Sequence, residues 1–266
     1  MNPTGVFQLI GLQDWPTFVL ISARVSGLFF AAPLWSMPEL PRTVRGALAV
    51  LLSIILLPVV ARPEPLPDDM LAMAVILAGE TLLGIAIGLT GALLMHGIVV
   101  AGEVASLQMG LSLGQALGSL PEGATIGVGQ LKGYFAMAIY LSVGGHLMLY
   151  QGLAGSFATV APGRAWEGIA GGRAVVDMTG MIFTTAVQAA APIIVALILT
   201  NLALAIVGKA VPQLNVMMLS FPVTIAVGLI ALGASLPFMA TYFTGAVEGL
   251  PGMVGQTINA FSPVPR

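Results

Sequence analysis

The chain has 266 residues, of which 58% are hydrophobic and only 8% charged, with a mean hydropathy of +1.00. A soluble domain is about 45–50% apolar and about 25% charged, so a water-soluble fold is excluded and a single membrane-embedded domain over 1–266 is expected. The net charge of -2 lacks acidic or basic blocks, which leaves no nucleic-acid groove or polybasic lipid-binding tail. Zero cysteines exclude disulfides, Cys-ligated zinc, iron–sulfur clusters and thiol catalysis. Arg24 is the first basic residue, so no positive n-region precedes the first apolar stretch and a cleavable signal peptide is not expected.

Six apolar stretches follow in chain order: roughly Pro16 to Trp35, Val44 to Val60, Met70 to Val100, Gly133 to Phe157, Val175 to Gly208 and Val216 to Val247. About 20 residues cross a bilayer as a helix, and several of these runs are longer. A backbone in hydrocarbon must satisfy its own hydrogen bonds, and these runs lack the short alternating segments of a barrel. The expected class is all-α: a bundle of about six long, partly broken hydrophobic helices arranged as hairpins. Between them, Met37 to Arg45, Ala61 to Asp69, Ala101 to Lys132, Ala161 to Arg173 and Val211 to Asn215 read as turns and loops. Pro33, Pro58, Pro192, Pro222 and Pro237 fall inside apolar runs, where each removes a backbone donor and can kink or end a helix. With six spans, Arg42, Arg45, Lys132 and Lys209 fall on one side and Arg62, Arg164, Arg173 and Arg266 on the other. That tie leaves orientation to assembly with partners or to hairpins that do not cross.

Glu80, Gly84, Gly88, Ala92 and His96 recur every fourth residue, a small-residue stripe between two ionisable ends. Such stripes let helices approach closely in a membrane. Packing is favoured over an ion path, with Glu80, Gly84 and Gly88 as candidates for contact with a neighbouring subunit and Glu80 paired there or to a backbone group. In AGEVASLQMGLSLGQALGSL two patterns compete. Gly102, Ser106, Gly110, Gly114 and Gly118 recur every four residues, whereas Leu107, Met109, Leu111 and Leu113 alternate with Gln108, Gly110, Ser112 and Gly114. Glycine costs a helix about 1 kcal/mol per position relative to alanine, so a flexible loop lining or filling a cavity is expected, with a surface connector as the alternative.

Arg24 and Lys209, at or within apolar runs, must face protein or water or snorkel to an interface. His96 and His146 lie far apart without an acidic cluster, so no metal site and no cofactor are expected. Nor does spacing support a catalytic triad. Most of the 14 methionines read as core or lipid-facing, although some could form an adaptable gasket. Pro212 cannot continue the preceding helix, and Gln213 and Asn215 can satisfy freed backbone groups, so Val211 to Asn215 is expected to be a tight turn between two long helices.

The runs RVSGLFFAAPLWSMPELPRTVRGALAVLLS (Arg24 to Ser53), ETLLGIAIGL (Glu80 to Leu89), AGEVASLQMGLSLGQ (Ala101 to Gln115), GGH (Gly144 to His146) and NLALAIVGKAVPQLNVMMLSFPVTIAVGL (Asn201 to Leu229) resemble the FliR/SctT family, in family order over nearly the whole chain. The run through VPQLN and SFP is the specific part. The part at about 181–255 also resembles the two-helix FliQ/SctS subunit, and 1–180 the FliP/SctR subunit.

The resemblance implies a non-enzymatic pore and gate subunit of the flagellar type III export apparatus in the bacterial inner membrane, at the flagellar basal body. Its implied partners are FliP-like, FliQ-like and FlhB-like subunits, lipid and unfolded export substrates. The family's pore plug corresponds here to the segment around Leu107 to Pro121, so Leu107, Gln108, Met109, Gly110, Leu111, Ser112, Leu113 and Gly114 become gate candidates. Pro212, Gln213 and Asn215 join the subunit-packing candidates. The family often has Asn where this chain has Gly144, so His146 receives no role. Three alternatives stand beside this reading: a virulence injectisome subunit; a small-solute transporter built on buried Gln188, Asn201 and Asn215, although no inverted repeat is evident; and a scaffold that never touches substrate.

Overall fold

The computed structural model describes residues 15–37, 40–63, 66–67, 69–111, 127–167, 172–210 and 216–262, with the side chains of 172–179, 181–183 and 216–219 outside that description. Eight α-helices occur among the described residues: α1 (Trp15–Ala31), α2 (Arg42–Leu56), α3 (Met70–Gln108), α4 (Val128–Ser142), α5 (Gly145–Thr159), α6 (Gly172–Ala210), α7 (Val216–Glu248) and α8 (Leu250–Ala260). The protein is all-α.

Several helix ends have a local cause. Helix α1 stops at Ala31, two residues before Pro33, and α2 stops at Leu56, two before Pro58, because proline has no N–H to continue the ladder. Asp69 caps α3: its Oδ2 accepts from the Ala72 N–H at 3.2 Å, one of the orphan donors of a helix start. At the other end of α3, Gly110 takes φ +76° just beyond the last turn, the left-handed conformation that commonly closes a helix and that glycine adopts without strain.

Three features bear on the sequence expectation. The stretch Gly133 to Phe157 is two helices, α4 and α5, separated at Val143 and Gly144, where Gly144 has φ +80°. Helix α3 runs through Ala101 to Gln108, which the glycine count had assigned to a loop. Its Gly102 is a packing residue: a Cβ there would lie 2.5 Å from the Gly129 Cα at the start of α4. Lastly, Pro192 lies inside α6, and Pro222 and Pro237 inside α7, without ending either helix. Where a proline interrupts the ladder, neighbouring groups take over the freed backbone partners.

Met70–Gln108, Thr184–Ala210 and Ser220–Ala260 are long and apolar enough to cross a membrane, whereas the apolar Trp15–Ala31 is shorter. At about 1.5 Å per residue the 39 residues of α3 extend about 58 Å, well beyond the roughly 30 Å hydrocarbon core. One crossing does not use the whole helix. The chain is a membrane protein built from such helices.

Two compact units share the chain. The first comprises Met1–Ala92, Gly144–Thr179 and Glu248–Arg266; the second comprises Leu93–Val143 and Gly180–Val247. In the first, Leu20, Ile21, Val25 and Leu28 of α1, Leu83 and Ile87 of α3, and Leu149 and Leu153 of α5 are buried. In the second, Ala105, Met109, Val128, Ile193, Leu197 and Leu232 form one apolar core. Helix α6 is apolar on two sides. Ala189, Ile193 and Leu197 are buried, whereas Val195, Leu199, Leu202 and Ile206, at i, i+4, i+7 and i+11, form an exposed stripe.

Candidate gate segment and charged core

Two arrangements concentrate the polar and conformational features of the chain, one in each unit. In the first, Arg24 and Glu80 are both 0% exposed and form an ion pair, with Arg24 Nε donating to Glu80 Oε2 at 2.7 Å. The other guanidinium nitrogens donate to Ser156 Oγ at 2.8 Å and to the Val160 carbonyl at 3.1 Å. The guanidinium carbon lies 4.1 Å from the centroid of the Phe157 ring, a cation–π distance. Glu80 Oε1 accepts the Gly163 N–H at 2.8 Å. One buried network thus ties α1, α3, α5 and the turn that follows α5.

Glycines bring α1 and α3 close enough for that pair to form. A Cβ on Gly27 would collide with the Thr81 carbonyl oxygen, and one on Gly84 with that of Arg24. On Gly88 it would lie 2.9 Å from Ala31 Cβ and from the Leu28 carbonyl oxygen. Glu80, Gly84 and Gly88 thus pack against α1 within the chain, as the small-residue stripe led one to expect, and Glu80 takes the backbone group allowed for it, the Gly163 N–H, together with the Arg24 side chain. Arg24, the partner of Glu80, was missed. The available signal was two opposite lone charges in apolar runs, each costly to bury alone.

The second arrangement is the root of the gate segment. Leu107 and Gln108 belong to the last turn of α3, and Leu107 is 65% exposed. Met109 is 0% exposed and donates its N–H to the Ala105 carbonyl at 2.9 Å. Gly110 turns the chain, and Leu111 packs against the core of the second unit. The Met109 side chain lies on Gly228 of α7, where a Cβ would be 2.5 Å from Met109 Cε, 2.6 Å from Cγ and 2.9 Å from Sδ. Thr224, one turn away, has its Oγ1 3.5 Å from the Met109 carbonyl oxygen. The candidate residues therefore part company: Leu107 faces outward while Met109 anchors inward. Ser112, Leu113 and Gly114 lie outside the described residues, as do Pro212, Gln213, Asn215 and the whole expected turn Val211 to Asn215.

Lys132 of α4 is also buried, and its Nζ donates to the Ala189 carbonyl at 3.1 Å, three residues before Pro192. Lys209 is exposed in the last turn of α6, where a cation complements the helix dipole. Gln188 and Asn201, which a small-solute site would bury, are exposed. Among the described residues no group of three or more His, Cys, Asp or Glu side chains could hold a metal.

An all-α membrane protein with a buried ion pair and glycine-closed helix contacts is the class that these features define. Residues 15–250 match the bacterial export proteins, family 1, and the chain belongs to that family. It is 29% identical over 221 residues to the flagellar biosynthetic protein FliR of Bacillus subtilis (strain 168), covering 82% of this chain and 85% of the relative. It is 31% identical over 229 residues to FliR of Pectobacterium carotovorum subsp. carotovorum, covering 86% and 85%, respectively. With FliR of Escherichia coli (strain K12) it shares 27% identity over 233 residues, covering 88% and 87%. The chain is a membrane-embedded subunit of the flagellar type III protein-export apparatus.

Proposed function

We propose that this subunit forms part of the pore and gate of the export apparatus in the bacterial inner membrane, assembling with FliP-like and FliQ-like subunits beside an FlhB-like one. Unfolded substrates pass through the assembly, and the segment Leu107 to Pro121 plugs it when idle. The role is structural rather than catalytic. The exposed apolar stripe Val195, Leu199, Leu202 and Ile206 on a helix whose opposite face is already packed carries this reading. A large exposed apolar face on a packed helix marks contact with lipid or with another protein. The flagellar relatives favour the flagellum over an injectisome, and the exposure of Gln188 and Asn201 argues against a small-solute transporter.

The test is co-expression of the tagged chain with FliP-like and FliQ-like subunits, with and without a deletion of Leu113 to Gly118. The full chain should co-purify with both subunits, and the deletion should raise ion conductance while leaving complex yield unchanged. Normal conductance in a fully assembled deletion complex refutes the plug. A well-behaved detergent monomer that transports a small solute in liposomes refutes the assembly.

A further inference from the structure

We infer that Lys132 is a positioning residue that fixes the direction of α6 beyond Pro192, and with it the exposed stripe Val195, Leu199, Leu202 and Ile206; the inference rests on the reading of that stripe as a docking face. Pro192 has no N–H, so it leaves the turn before it one backbone donor short. Lys132 supplies a donor to that turn from α4: its Nζ reaches the Ala189 carbonyl at 3.1 Å, and both residues are 1% exposed. The prolines of α7 are served differently. Thr224 Oγ1 lies within reach of the Ser220 and Phe221 carbonyls, at 2.9 and 3.1 Å, on either side of Pro222. Ser235 Oγ donates to the Leu232 carbonyl at 2.8 Å, ahead of Pro237. Those hydroxyls ride on the helix that they serve and swing with it. Lys132 belongs to another helix, so its bond ties α6 to a point outside itself.

Stability does not account for this lysine. An ammonium carries three donors, Nζ has one described acceptor, and a buried charge in apolar surroundings is costly to keep. What the bond controls is geometry. Lys132, Ala189, Pro192 and the stripe all belong to the second unit, and the stripe begins three residues beyond the proline, at Val195. At about 1.5 Å per residue, Ala205 lies about 20 Å past Pro192 along α6. A swing of about 20° at the proline, the size at which helix kinks become sharp, would carry that end of the stripe about 7 Å. A partner face built to fit the stripe would lose its match. A charge-assisted bond, stronger than one between neutral groups, suits a hold that must resist such a lever.

The chain has no cysteines, so pairs of spin labels can be introduced without background. Tyr134 on α4, Thr184 before the proline and Ala205 beyond it are exposed positions for them. The test uses the complex co-expressed with cysteine-free FliP-like and FliQ-like subunits, reads the two distances from position 134 by pulsed dipolar spectroscopy, and quantifies the co-purified partners. Lys132→Met should shift or broaden the distance to position 205 by about 5 Å or more. The distance to position 184 should stay as in the parent, and partner recovery should fall several-fold. Lys132→Arg keeps a donor and should hold both readouts near the parent. In a Pro192→Ala background the ladder donor returns, so adding Lys132→Met should move position 205 no further. An unchanged distance to position 205 in Lys132→Met, or the same shift in the Pro192→Ala background, overturns the inference. If Lys132→Met lowers the yield of the chain itself, Lys132→Gln, polar but too short to reach the carbonyl, carries the test with the same expected shift, and its absence overturns the inference. A shift at position 205 with full recovery of both partners overturns the stripe as a docking face, and not the hold of Lys132 on α6.

Discussion

Replacing Arg24 by methionine should be far more damaging than its position in an apolar helix implies. Glu80 has two oxygens, one held by Arg24 and the other by the Gly163 N–H. Without Arg24 the carboxylate keeps a single neutral donor in a site with no water access, and breaking a buried pair from one side costs about 3–5 kcal/mol. Glu80→Met leaves a better-served charge. The guanidinium keeps Ser156, Val160 and the face of Phe157, and it is more weakly hydrated than an ammonium, so the loss should be smaller, about 2–3 kcal/mol. Arg24→Met with Glu80→Met removes both charges and leaves only neutral groups to re-satisfy. Ser156 already donates to the Leu153 carbonyl at 2.6 Å, so the double variant should lose only about 1–2 kcal/mol. Equilibrium unfolding of the purified complex in mixed detergent and SDS measures all three. The expected order of damage is Arg24→Met, then Glu80→Met, then the double. Additive losses, or equal losses from the two single changes, would refute the reasoning that the pair is held as one buried unit.

Gly84→Ala should destabilise the complex by about 1–3 kcal/mol in the same unfolding assay, since the new methyl meets the rigid Arg24 carbonyl rather than a movable side chain. Gly46→Ala on the exposed face of α2, where a Cβ meets nothing within 4 Å, should instead stabilise by up to about 1 kcal/mol through helix propensity, and a loss there would contradict the packing account. Lys132→Met should raise the unfolding midpoint, because the buried ammonium has three donors and one described acceptor, each unsatisfied donor costing about 1–3 kcal/mol. A clear loss of stability in that variant would mean that the Ala189 contact outweighs the burial of the charge.

Hydropathy located the long helices because a run such as Met70 to Val100 cannot be anything else in a bilayer, but it was blind to where the backbone turns inside such a run. The split at Gly144 is set by one positive φ, and the flanking LSV and HLM residues are as apolar as the helices they separate. Conversely, glycine misled at Ala101 to Gln108. Its count signalled a flexible loop, whereas Gly102 serves close approach to Gly129 and the intervening Glu103, Ala105 and Leu107 are sound helix formers. One residue type therefore does three jobs here, and only the third dimension tells them apart: closing α3 at Gly110, admitting a backbone at Gly84, and seating a methionine at Gly228. The same limit hid the ion pair, for Arg24 and Glu80 stand 56 residues apart and no local period links them. Their pairing was nevertheless implied by energetics, since each charge lies in an apolar run and neither can remain unpaired there at tolerable cost. Met109 and Gly228 carry no such electrostatic demand. Their contact is one of shape alone, the kind of information that a sequence pattern of this type does not encode.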